Sequence, residues 1–98
     1  MRVNLAQAVL GLNGKPAKEN GEIVIMSKVV ANSLVMQEVK DNLVMQRYEL
    51  ATKLFEADGE IEIAESEREL IKKTCESGML VLIAAQVLLI INNPIQDK

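Results

Sequence analysis

A five-residue phrase occurs twice in this chain, as Gly21-Glu22-Ile23-Val24-Ile25 and as Gly59-Glu60-Ile61-Glu62-Ile63, and a Ser-started amphipathic run follows each copy. A glycine feeding alternating polar and apolar residues is the pattern of a short strand leaving a turn, and the runs that follow have helical spacing. The phrase therefore prescribes strand-into-helix units, and names no chemistry. Because Ile23 and Ile25 occupy one strand face and Ile61 and Ile63 an equivalent one, the two copies are expected to meet.

The rest of the chain predicts an α+β fold, mostly helical, with about four helices and a small N-terminal antiparallel β-hairpin to which the second phrase adds a third short strand. Residues 2–10 alternate as a first strand, and residues 22–26 supply its partner. Between them, residues 11–21 hold Pro16 and the pairs Asn13-Gly14 and Asn20-Gly21, which read as a long polar loop. Ser27 is the expected cap of a first helix that stops near Val39 and Lys40. Asp41 is the expected cap of a second, over residues 42–57. There Asn42, Gln46, Glu49, Lys53 and Glu56 form a polar face, and Leu43, Val44, Tyr48, Leu50, Ala51, Leu54 and Phe55 the apolar one. Glu49 and Lys53 are placed to pair one turn apart. Ser66-Glu67-Arg68-Glu69 matches a capping box that opens a third helix with Leu70, Ile71, Thr74 and Cys75 facing inward. Residues 79–91 make a fourth helix, and 92–98 a polar, fraying tail. At 98 residues, 1–98 reads as a single domain.

Composition narrows the function. The chain has no histidine, so the usual base near neutral pH and the usual zinc ligand are missing, and no catalytic residue suggests itself. A formal charge of -3 argues against a phosphate-binding surface, hence against nucleic acid. Cys75 is the single cysteine; on the apolar stripe of the third helix it reads as a small buried hydrophobe in a reducing compartment. Residues 79–91 would span roughly 20 Å as a helix, too short for a membrane core of roughly 30 Å. Residues 1–10 lack the unbroken apolar block of a signal peptide.

Two features invite partners. Glu56, Asp58, Glu60, Glu62, Glu65, Glu67 and Glu69 crowd one turn. Aligned with a calcium-binding helix-loop-helix, Glu56, Asp58 and Glu65 fall near ligand positions, while the first ligand position falls on Leu54, which cannot coordinate. A solvated acidic turn is the plainer account. The last helix is apolar nearly all round: Leu80, Val81, Ile83, Ala84, Val87, Leu88 and Ile91 suit a core, leaving Leu82, Ala85, Leu89 and Ile90 as a surface for self-association or a protein partner.

The layout resembles a family of small, uncharacterised proteins encoded by tailed bacteriophages and prophages. The likeness lies in an N-terminal strand, Leu12-Asn13-Gly14-Lys15-Pro16 in a polar loop, a short strand into the helix holding residues 29–34, Arg47-Tyr48-Glu49-Leu50-Ala51 in the next helix, and Glu60-Ile61-Glu62-Ile63 before a capped acidic helix. It covers nearly the whole chain. It implies a viral origin, a location in the cytoplasm of a bacterial host or on the virion, and a role among accessory or virion-assembly factors, and it transfers no catalytic residue or cofactor. The chain departs from the pattern at Val87-Leu88-Leu89-Ile90-Ile91, where a more amphipathic helix would suit a monomer. The expected function is a non-enzymatic interaction protein acting as an oligomer or on a protein partner; the alternative is a divalent-ion-binding regulator with a degenerate calcium loop.

Overall fold

Asn20 and Gly21 both take positive φ, 51° and 83°, as a two-residue type I′ turn requires, and that turn's twist suits antiparallel strands. The strands it joins are β2 (Lys18–Glu19) and β3 (Glu22–Ile23), with Lys18 opposite Ile23 and Glu19 opposite Glu22. The computed structural model describes residues 1–38 and 40–96. Before this hairpin comes β1 (Arg2–Val3); after it come α1 (Met26–Met36), α2 (Val44–Glu56), β4 (Ile61–Glu62), α3 (Glu65–Glu76) and α4 (Val81–Ile91). The mostly helical α+β class and the four helices found among the described residues are as expected.

The hairpin's members are not those expected, because the glycine-rich loop builds a strand of its own. Residues 4–10 are not regular strand: the Asn4 side chain accepts from the Ala6 N–H at 3.0 Å, and Gln7 Nε2 donates to the Asn4 carbonyl at 2.6 Å, a local turn that interrupts the ladder. The segment still runs beside residues 22–26, with Ala8 bridged to Ile25. Three hydrogen bonds close a ring there: Val9 N–H to Val24 O at 2.8 Å, Val24 N–H to Ala17 O at 3.0 Å, and Ala17 N–H to Val9 O at 2.7 Å.

The expected three-stranded sheet is overturned. β4 pairs with β1, Arg2 opposite Glu62 and Val3 opposite Ile61, in a sheet separate from β2 and β3. The two phrases therefore lie in different sheets, Ile63 in the core and Ile23 half-exposed. Alternation specifies which face of a strand is buried, and says nothing about which strand lies beside it.

At α1, backbone carbonyls take over the capping expected of serine. The cap of α1 is Ile25, without a side-chain bond; the N–H groups of Met26 and Ser27 donate to Gln7 O and Leu5 O at 2.9 and 2.8 Å, which satisfies two of the helix's orphan donors. Ser27 is instead fully buried, its Oγ without a hydrogen-bond partner among the described residues. The cap of α3 is Ala64, two residues before Ser66, and the residue that reaches back is Glu67, which accepts the Ala64 N–H at 2.8 Å. Ahead of α2, Asp41 accepts the Leu43 N–H at 3.1 Å while Leu43 holds the cap position. The first helix stops at Met36, short of Lys40; Val39 lies outside the described residues.

α1 packs against both α2 and α3, and α3 against α4. The core between them collects Val3, Leu5 and Val9 with Val30, Leu34, Leu50, Leu54, Ile63, Ile71, Val87 and Ile91. The lone polar residue of the apolar helix is positioned by this packing: Gln86 accepts the Leu10 N–H at 2.8 Å and donates to the Leu10 carbonyl at 2.6 Å, as a neighbouring strand would. Arg68 donates to Ile91 O at 3.1 Å and Asn92 Oδ1 at 2.8 Å, closing the C-terminal end of α4. The tail expected to fray is docked: Ile95 N–H donates to Arg2 O at 2.9 Å. Asp97 and Lys98 lie outside the described residues.

Candidate interaction surface

α2 turns a different face inward from the one its apolar residues suggest. Arg47, Leu50, Ala51 and Leu54 are buried, whereas Val44, Tyr48 and Phe55, assigned to the core by spacing, are exposed. On a 100° helical wheel the two stripes are centred roughly 90° apart. Arg47 explains the rotation. Only 4% exposed, it donates from Nη2 to Asp41 Oδ2 at 2.9 Å, and from Nη1 to Leu34 O and Thr74 Oγ1, both at 3.4 Å. Lys73 adds a second cation 3.1 Å from Asp41 Oδ2. The Arg47 hydrogen bond, opposed by burial and joined by Lys73, holds the Asp41 carboxyl well below the ordinary carboxylate range.

Both aromatic residues of the chain thus lie on the surface, Tyr48 at 62% and Phe55 at 53% exposure. Val35 and Met36 of α1 and Val44 of α2 are exposed with them. Ala31, Val35, Tyr48, Ala51 and Phe55 line a shallow groove of about 210 Å³, adjoined through Val35 and Tyr48 by a second of about 430 Å³ that reaches Leu34 and Val44. At the far end Lys28 Nζ stands 5.5 Å from the Phe55 ring centroid, a cation–π contact.

On α4 the structure exposes Leu82, Ala85 and Leu89, the last at 66%, and half-buries Ile90 against the core. Leu80 and Val81, expected in the core, are exposed as well, while Ala84, Val87 and Ile91 are buried. The residues of the third helix expected inward, Leu70, Ile71, Thr74 and Cys75, are all buried. Burial, reinforced by Glu76, pushes the Cys75 thiol up to about 11.

Among the described residues, five of the seven acids of the turn are answered by cations. Glu62 accepts from the Met1 ammonium at 2.7 Å, which lowers its carboxyl's pKa; Glu60 lies 3.3 Å from Arg2 and Glu65 2.7 Å from Arg68. Lys53 pairs with Glu67 at 3.2 Å rather than with Glu49. Glu56 lines the α1–α2 groove and Asp58 is exposed. Leu54, at the first ligand position of the calcium-loop alignment, is fully buried. Among the described residues no three acids or thiols gather as an ion site, and no helix is long and apolar enough to cross a membrane. No family model, curated protein or solved structure matches the chain.

Proposed function

We propose that this chain is a non-enzymatic interaction protein whose principal contact surface is the α1–α2 face. The observation that carries the reading is the exposure of Tyr48 and Phe55 beside Val35, Met36 and Val44. Aromatic residues and methionine are enriched at the centres of protein interfaces, where they supply most of the binding energy, and a contiguous apolar face is rarely left bare without a partner. The apolar stripe of α4 at Leu82, Ala85 and Leu89 is a second, smaller contact, and Ile90 buttresses it from below. The partner is a protein surface of apolar character, a second copy included. The resemblance to small phage and prophage proteins supports an accessory or virion-assembly setting in a bacterial host.

Multi-angle light scattering of the wild-type and Tyr48→Asp/Phe55→Asp proteins, together with cross-linking from a photo-reactive residue placed at position 44 of each, tests the reading. Loss of association or of cross-linked protein adducts in the variant, with the far-UV spectrum unchanged, supports it. A wild type that stays monomeric and forms no adduct with any protein of its host removes it.

A further inference from the structure

Leu12 is 99% exposed, yet its turn is closed by hydrogen bonds. Gly14 N–H donates to Gly11 O at 3.0 Å, Gly11 N–H to Lys15 O at 2.8 Å, and Lys15 N–H to Asn13 Oδ1 at 3.0 Å. Gly14 takes a φ of 78°, a left-handed conformation that glycine adopts without strain, and Leu10 behind it is bridged to Pro16. Gln86 clamps Leu10 to α4. The chain thus projects a leucine and a lysine on a fixed turn, and little conformational entropy is left to lose when that turn binds.

The complementary shape lies between α2 and α3. A groove of about 520 Å³ is lined by Leu43, Leu50 and Leu70, with Glu49, Glu69 and Lys73 among its polar residues. Lys73 is engaged by Asp41. Glu49 has no cation partner among the described residues, and Glu69 stands 3.3 Å from Arg68, which lies closer to Glu65. An apolar floor bordered by two carboxylates calls for an apolar anchor beside a cation. The Leu12 turn carries both.

We propose that the Leu12–Lys15 turn of one copy docks into the α2–α3 groove of the next, Leu12 against Leu43, Leu50 and Leu70 and Lys15 between Glu49 and Glu69. Turn and groove are different surfaces, so the contact is head-to-tail and generates a ring or an open chain of subunits. Its small area makes it a weak contact, populated at high local concentration.

Sedimentation equilibrium tests this in a Tyr48→Asp/Phe55→Asp/Leu89→Lys background, which silences the α1–α2 face and the α4 stripe and keeps the two ideas separable. Leu12→Asp, and separately Glu49→Lys/Glu69→Lys, each weaken association at least about tenfold. All three substituted positions are exposed, so the fold is retained. Mixing the two variants, one with an intact groove and the other with an intact turn, gives a one-to-one pair and nothing larger. Lys15→Glu placed in the Glu49→Lys/Glu69→Lys chain restores part of the association. A background protein monomeric up to about 1 mM, or association that Leu12→Asp leaves unchanged, overturns the proposal, as does a mixture that grows beyond a pair.

Discussion

Arg47 holds Nη2 2.9 Å and Nε 3.2 Å from Oδ2 of Asp41, joining the residues before α2 to the underside of that helix. Because its remaining nitrogen reaches Leu34 and Thr74, one guanidinium contacts α1, α2 and α3 at once. Its charge is buried, and breaking a buried pair by removing one partner is far more damaging than never having made it. Arg47→Met should therefore destabilise by about 3 kcal/mol.

Asp41→Asn should lower the unfolding midpoint at neutral pH. The folded carboxyl titrates below its ordinary value of 3.8, so its contribution is complete above that value and is lost as pH falls towards the folded pKa. Denaturation curves of wild type and variant, separated at pH 7, should draw together progressively as pH falls from about 4 to 2, and meet only below that. Curves that stay equally far apart across that interval would show that the carboxylate charge is not what matters.

Cys75 should be inert to alkylating reagents in the native protein and reactive once denatured. Its thiol is buried and titrates near 11, so the nucleophilic thiolate is scarce and shielded at neutral pH. Labelling by iodoacetamide followed by mass spectrometry should track global unfolding; rapid labelling without denaturant would place Cys75 in an accessible environment.

Gln86→Leu should destabilise although it makes α4 more hydrophobic. Two hydrogen bonds to Leu10 disappear, at about 1–2 kcal/mol together, and amide exchange at Leu10 should accelerate. A stabilised variant would mean that helix burial outweighs the clamp.

Gly78 and Gly59 make a matched pair of alanine substitutions. A Cβ at either position meets no atom within 4 Å, but Gly78 has a φ of 115° and Gly59 has no such left-handed angle. Gly78→Ala should cost about 1–2 kcal/mol through strain, and Gly59→Ala should be neutral or stabilising by about 0.5 kcal/mol through the unfolded chain. Equal effects from thermal melts would contradict this division.

Local chemistry was legible in the sequence, and partnership was not. The inward stripe of α3 could be read because apolar spacing and helix polarity agreed there. In α2 the apolar residues occupied more of the circumference than the core could cover, and Arg47 was assigned to neither face because its counter-charge comes from outside the helix. The Tyr48–Phe55 surface was missed by the same step. Its signal was the width of the stripe, too broad for one buried face. The Ser27 cap failed because distant carbonyls of Leu5 and Gln7 already met the donors, and the Ser66 cap because α3 is capped earlier, at Ala64, where Glu67 reaches back. On α4, Leu82, Ala85 and Leu89 were legible because a helix apolar all round cannot be enclosed by so short a chain.

Between Glu62 and Ile95, Arg2 has a neighbour on either side, each recruited from far along the chain. Loop closure over such distances is entropically costly before any contact is made, so the helices should assemble first and this three-way seam should close last. Folding should then be slower than the helical content implies. Until the seam closes, Val3 and Ile61 expose apolar strand edges of the kind that recruit other chains during synthesis.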